Sequence, residues 1–302
     1  MAFPRRIPIG GWKHALKPES PTVITFDAYN TLYATTLPVM QQYCLVAKKY
    51  NVIADPMQLT MKFPKVFKEL RDRHPNYGKF TGITAVEWWS KLITNVFQPL
   101  EISKEMVEEI LVRFEGYQAY QVYPDVLDFI KEAKSKHPDV ILGIISNTDP
   151  VVYTLLQNLG LYEYFKPHIF LSYDLDLKKP SKEIFEYALE DMAKRYPRLL
   201  ENNDLGTLRS RCWHIGDEAI NDMRGAENAG WNGVLIDRNN KYGHLSRSFE
   251  HKDRSSDLLS VDKIDTTSSI SYEESLRQMD TVLLGERAFV VSNFKTLQDF
   301  LL

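Results

Sequence analysis

Residues 140–145, VILGII, form a run that is apolar throughout and shows no polar alternation. A half-exposed strand alternates in polarity, so a short unbroken run of this kind predicts a strand covered on both faces. Residues 22–26, TVITF, are similar and end abruptly on Asp27. Shorter runs of the same character occupy 169–171, 213–215, 234–236 and 289–291. Helical periods at 151–159, 184–192 and 220–229 lie between them, the last closed by Gly230 where a left-handed cap is wanted. Strands alternating with helices predict an α/β fold, a parallel sheet with helices on both faces. Ligands in such sheets bind at the carboxyl ends of the strands, so the residues that follow each strand are the ones to inspect.

The stretch between the first two strands is different. Leu59, Phe63, Val66, Phe67 and Leu70 recur on one helical face, as do Trp88, Trp89, Leu92, Ile93, Val96 and Phe97, then Met106, Ile110 and Phe114. This is too much helix for a crossover and predicts a helical lobe over 34–119, inserted into a sheet core made of 19–33 and 120–302. Residues 1–18 read as a flexible segment. Residues 239–286, rich in Ser, Asp, Lys and Arg, read as a long and partly disordered surface insertion that offers a place for a protein partner.

A net charge of -3 without a basic stripe gives no reason to expect nucleic acid, and no apolar run reaches the length of a membrane span. Cys44 and Cys212 lie far apart and read as free thiols of a reducing compartment, cytoplasmic or nuclear. The basic N-terminus, with Arg5, Arg6, Lys13 and Lys17, is faintly like a mitochondrial presequence. Pro4, Pro8, Gly10 and Gly11 would break its amphipathic helix.

Four polar signals follow strands or open helices. Asp27-Ala28-Tyr29-Asn30 follows the first strand, and Ser146-Asn147-Thr148 the second. Lys179-Pro180 precedes a helix, and Gly216-Asp217, with Asp222 five residues on, follows 213–215. A carboxylate can attack phosphorus or carbon to form an ester. A second carboxylate can share a hard cation with it, while a hydroxyl and a lysine bind the oxygens of the transferring group. Each signal alone is as well explained by a turn or a helix cap. Their order is what carries the expectation.

FDAYNTL, IISN, KPSKEIFEYAL and IGDEAINDMRGAENAG, in that order, resemble the four motifs of the haloacid dehalogenase superfamily. The resemblance implies a Rossmann-like core, and the inserted helices stand where the family's α-helical C1 cap belongs. It implies Asp27 as nucleophile, Ser146 and Asn147 as substrate-binding groups, and Lys179 as a stabiliser of negative charge. It implies Mg²⁺ held by Asp27, Asp217 and the backbone carbonyl of Tyr29, with Asp222 orienting the site or reaching the metal's water shell. In the cap, Tyr77, beside Gly78 and before Trp88-Trp89, is expected to face the cleft as a substrate-binding residue, whereas Trp88 and Trp89 are expected in the cap core. His214 is expected to point away from the cleft.

The family's phosphatases carry an aspartate, as general acid and base, two residues after the nucleophile. Here that position is Tyr29. An unperturbed phenol, with a pKa near ~10, is a poor acid at neutral pH, and losing general acid catalysis costs about 10²- to 10⁴-fold. The resemblance therefore implies a phosphatase of a small phosphorylated molecule with weakened acid catalysis. It leaves open a binding protein that has lost activity, and a 2-haloacid dehalogenase. The dehalogenases share the tyrosine but lack the intact Gly216-Asp217, and they use an arginine where this chain has none between Leu32 and Glu69.

Overall fold

The computed structural model describes residues 4–14, 18–201, 204–247 and 269–302. Among these, the strands are β1 (Arg5–Pro8), β2 (Val23–Phe26), β3 (Tyr33–Thr35), β4 (Tyr120–Val122), β5 (Ile141–Ser146), β6 (Ile169–Leu171), β7 (Cys212–Gly216), β8 (Asn232–Ile236), β9 (Asp280–Leu283) and β10 (Ala288–Val291). Eight of them form one sheet in the order β1-β9-β10-β8-β7-β2-β5-β6. The five neighbouring pairs from β10 to β6 are parallel, and β9 and β1 are added antiparallel at one edge.

Every residue of β2, β5, β7 and β8 is buried, the polar Thr25, Ser146, His214 and Asn232 included, as strands covered on both faces require. Alternate residues serve opposite faces. Ile24, Phe26, Leu142, Ile144, Trp213 and Ile215 pack into one core with Phe129 and Phe294. Val23, Ile141, Ile145 and Cys212 pack into the other with Phe185, Met192 and Trp231.

The helices of the insertion are α1 (Val39–Lys49), α2 (Pro56–Arg73), α3 (Ala85–Phe97) and α4 (Lys104–Arg113). Their starts follow local capping chemistry. Asp55 accepts from the Met57 amide ahead of Pro56, Thr84 and Glu87 form a reciprocal capping box, and Ser103 accepts from Met106. The four helices bury a core of their own around Met40, Phe63, Trp88, Leu92, Phe97 and Ile110. Chain enters and leaves this lobe through β3 and β4, an antiparallel pair with Tyr33 opposite Val122 and Thr35 opposite Tyr120. Beyond it lie α5 (Val126–Lys136) and α6 (Val151–Asn158), which cover the sheet.

Two segments differ from expectation. Residues 4–14, read as flexible, contain β1, whose Arg6 pairs with Asp280 at 3.0 Å, while Ile7 and Trp12 are buried. A four-residue edge strand bonded on one side needs no apolar run, so its sequence carries little signal. The 239–286 segment is not all surface either. Its residues 248–268 lie outside the described residues, but β9 within it joins the sheet with Val282 fully buried. The 220–229 helix also begins irregularly, as a π turn over Ala219–Arg224, before an α turn over Gly225–Asn228. No helix among the described residues is long and apolar enough to cross a membrane.

Candidate active site

The central position of β2, between β5 and β7, brings Asp27 to the middle of the sheet's carboxyl edge. Asp27 follows β2, and its amide donates to the Ile215 carbonyl at 2.8 Å. Ser146, the last residue of β5, donates from Oγ to Asp27 Oδ1 at 3.0 Å. The Lys179 ammonium donates to the same Oδ1 at 2.7 Å, to the Ile145 carbonyl at 2.7 Å and to Asp222 Oδ1 at 2.6 Å. All three protons of that ammonium are therefore placed, and its side chain is only 2% exposed. Both bonds to Asp27 fall on Oδ1, which leaves Oδ2 open to a cation.

One ammonium cannot neutralise two carboxylates. Burial works against the charge of Lys179, but Asp222 and Asp27 outweigh it and hold the ammonium well above the usual lysine range. Burial would likewise raise Asp222, yet Lys179 and His214 keep it well below the usual carboxylate range. Asp27 takes the imbalance. Burial pushes it up to about 7, with Lys179 opposing and Asp222 and Asp217 adding to the rise.

Asp222 is fixed from every side. Its Oδ1 also accepts from His214 Nε2 at 3.1 Å, and Oδ2 accepts from the Glu218 amide at 2.9 Å. A carboxylate only accepts, so Nε2 carries the proton, and Nδ1 of the neutral ring accepts from Thr25 Oγ at 2.8 Å. Gly216 makes room for this arrangement, because a Cβ there would stand 2.1 Å from the Asp222 carboxyl. With both oxygens engaged and 1% exposure, Asp222 is a positioning residue for Lys179 rather than an open ligand. His214, expected to point away, does not touch Asp27 but anchors the carboxylate that aims the lysine.

Burial depresses His214 to about 4, more than Asp222 raises it. The unfolded chain therefore binds the extra proton between about pH 6.5 and 4, and stability falls as pH drops through that window. A fall from 6.5 to about 4 corresponds to about 3 kcal/mol. Relative to His214→Gln, wild type should lose that amount between pH 7 and pH 4. Urea unfolding of both proteins across this range checks it.

Asn147, expected at the substrate, is occupied elsewhere. Its Nδ2 donates to the Lys179 carbonyl at 2.9 Å, and its Oδ1 accepts from the Lys179 amide at 2.8 Å. It clamps the lysine's backbone. Tyr77 lies at the seam between cap and core, its hydroxyl donating to the Asn147 carbonyl at 3.2 Å and its ring packed on Trp88 and Trp89. Trp88 is buried in the cap, but Trp89 Nε1 crosses to Asp149 Oδ2 at 2.9 Å. Tyr29 is half-buried, edge-on to Tyr120 and tilted against Tyr33, at the foot of the cap. Asn30 takes a left-handed φ of 57°, which asparagine accepts.

Asp217 sits 10% exposed at the end of β7. Its Oδ2 accepts from Lys241 Nζ at 2.8 Å. Glu218, beside it, is pushed up to about 8 by burial and then by Asp217 and Asp222. Neither Lys241 nor Glu218 stood out in the sequence. The signal for Lys241 was its place after β8, since the residues that follow a parallel strand border the cleft.

Among the described residues no three His, Cys, Asp or Glu side chains form a ready metal cluster. Mg²⁺ needs less than that, because one or two carboxylates with a carbonyl and waters suffice. Four carboxyl groups (Asp27, Asp217, Glu218 and Asp222) face two ammoniums (Lys179 and Lys241), and this surplus suits a cation near Asp27 and Asp217.

Asp27, Ser146 and the Gly216-Asp217 turn at the ends of neighbouring parallel strands, buried Lys179 between them and a helical lobe inserted after β2 define a capped α/β fold. The family model for haloacid dehalogenase-like hydrolases matches residues 21–230, and the chain belongs to that family. It is 54% identical over 299 residues to the Saccharomyces cerevisiae protein YMR130W, covering 99% of each chain. It is 26% identical over 235 residues to haloacid dehalogenase-like hydrolase domain-containing protein 3 of Danio rerio, covering 76% of this chain and 90% of that one. Among solved structures, the magnesium-bound HAD-hydrolase YfnB of Bacillus subtilis superposes with a TM-score of 0.52 at 18% identity, over 74% of this chain and 92% of that one. L-2-haloacid dehalogenase of Xanthobacter autotrophicus, with chloropropionic acid covalently bound, gives 0.53 at 15% identity, over 92% and 96%. These two likenesses show the fold.

Proposed function

We propose that the chain is a Mg²⁺-dependent hydrolase of a small phosphorylated molecule, acting through an aspartyl-phosphate at Asp27. The observation that carries this reading is the asymmetry of Asp27. Oδ1 is held by Ser146 and Lys179, and Oδ2 is left open to the cation. Asp27, Asp217 and the Tyr29 carbonyl would hold the cation, which neutralises the charge that a phosphoryl group brings to a carboxylate cluster. As Asp27 Oδ1 bonds to phosphorus, the protons that Lys179 and Ser146 now give to that oxygen turn to the oxygens of the transferring group. The leaving alkoxide then needs a proton.

Tyr29 stands where the family's phosphatases keep their acid, and phenol is a weak donor at neutral pH. Turnover is therefore slow for ordinary alkyl phosphates and faster for esters whose leaving group needs no proton. The small molecule sits beneath the cap, near Tyr77. The free thiols of Cys44 and Cys212 support a reducing compartment, cytosol or nucleus.

Beryllofluoride, which mimics a covalent phosphoryl group, tests the reading. Binding to wild type with Mg²⁺ and loss of binding in Asp27→Ala is the expected result. Equal binding to both proteins would refute the aspartyl intermediate. Halide release from 2-chloropropionate without metal would favour dehalogenation instead.

A further inference from the structure

Lys241 stands in a turn that is built to hold it. The Asp237 carboxyl, 1% exposed, accepts from the Lys241 amide at 2.7 Å and from the Tyr242 amide at 2.9 Å. Asn240 takes a left-handed φ of 49°, accepts from the Leu245 amide at 2.9 Å and donates to Ser246 Oγ at 2.8 Å. The Tyr242 hydroxyl accepts from the Ala219 amide at 3.2 Å, which ties the turn to the loop that carries Asp217. The backbone of Lys241 is thus fixed beside Asp217, and the mobile part is its four-carbon stem. Its ammonium lies on Asp217 Oδ2 at 2.8 Å, with the lysine side chain 17% exposed and the aspartate 10%.

We propose that Lys241 is a built-in counter-cation that competes with the divalent metal for Asp217 and so sets how much metal the site requires. The inference rests on the reading of Asp27 and Asp217 as the cation's ligands. An ammonium and a metal on one carboxylate repel each other and divide its charge, whether they share an oxygen or take one each. The Lys241–Asp217 pair therefore lowers the metal's affinity, whether the ammonium leaves Oδ2 or stays on it. Without metal, the same ammonium keeps Asp217 from standing unpaired among Asp27, Glu218 and Asp222. Lys241 acts through Asp217, as a positioning residue.

The test is Mn²⁺ binding to the full chain, followed by the loss of the free-ion electron paramagnetic resonance signal. Mg²⁺ competition confirms the site. Wild type, Lys241→Gln, Lys241→Arg and Asp217→Asn are compared, with far-UV circular dichroism to establish that each is folded. Lys241→Gln should bind Mn²⁺ at least ~10-fold more tightly, Lys241→Arg should stay near wild type because it keeps the charge, and Asp217→Asn should bind poorly. The Gln variant should also show a larger rise in Tm with added metal than wild type, since metal that binds only the folded state stabilises it.

Binding by Lys241→Gln that equals or falls below wild type would overturn the lysine's role and leave the metal reading standing. Tightening in Lys241→Arg as well would overturn competition by charge. If none of the four proteins takes up Mn²⁺, the metal reading falls and the counter-cation with it. Should Lys241→Gln not fold, Lys241→Met is carried through the same titration.

Discussion

Replacing Lys179 with methionine should lower the stability of the folded chain by about 3–5 kcal/mol and reduce turnover by about 10²- to 10³-fold or more. Two separate costs meet in this one residue. The first is structural. The Lys179 ammonium is the shared partner of Asp27 and Asp222, at 2.7 and 2.6 Å, and its side chain is 2% exposed. Methionine fills a similar volume but leaves a buried carboxylate at Asp222 whose charge only His214 and a backbone amide then answer. Breaking one partner of a buried ion pair is costly because the other stays behind. The second cost is chemical, since the ammonium is the positive charge nearest the oxygen that would bond to phosphorus. Urea unfolding at pH 7.5 reads the first, and phosphoester turnover below the unfolding midpoint reads the second. A variant as stable as wild type would mean that Asp222 is satisfied without the lysine.

Asp27→Asn should behave in the opposite way on stability. Turnover is expected to fall by ~10⁴-fold or more, the scale on which loss of a covalent nucleophile is felt. Stability should rise by about 1–2 kcal/mol at pH 8, a gain expected where a charge is held in an unfavourable place. The reason is the rise of the Asp27 carboxyl to about 7, caused first by burial. A group whose folded pKa is raised favours folding at low pH and loses that contribution as pH climbs to its folded value. Above pH 7 the ionised carboxylate is therefore a burden that the neutral amide removes, and Asn can still accept from Lys179. Thermal unfolding of the metal-free proteins at pH 8 checks the sign. A less stable variant would show that the Lys179 contact outweighs the burial of the charge.

Much of this architecture is legible because burial on two faces leaves a distinctive trace. VILGII and TVITF have no polar alternation, and β5 and β2 are the middle of the sheet. The order of Asp27, Ser146, Lys179 and Asp217 along the chain was readable for the same reason, as each follows a strand or opens a helix. What escaped was structure made by pairing rather than by composition. In β1, Arg6 finds Asp280 nearly the whole chain away, and nothing local in RRIP announces it. The turn after β8 is rich in polar residues and reads as solvent-facing, yet Asp237 is buried, with the Lys241 and Tyr242 amides donating to its two oxygens. Asn147 shows the same limit from the other side. Its type suits a substrate contact, but only the fold reveals that both ends of its amide are taken by Lys179. His214 is a further case, since strand alternation gives its face but not the carboxylate waiting there.

The paired strands β3 and β4 give the molecule a property of another kind. Thr35 and Tyr120 are register partners, so the two ends of the inserted lobe stand about 5 Å apart. That is a gap which a two-residue hairpin spans. The lobe is thus attached like a drawer on two rails. It can be shortened, exchanged or removed at this point with no strand of the main sheet changing its neighbours. The inserted helices and the sheet can consequently diversify on separate schedules, save where Tyr77 and Trp89 reach across to the segment after β5.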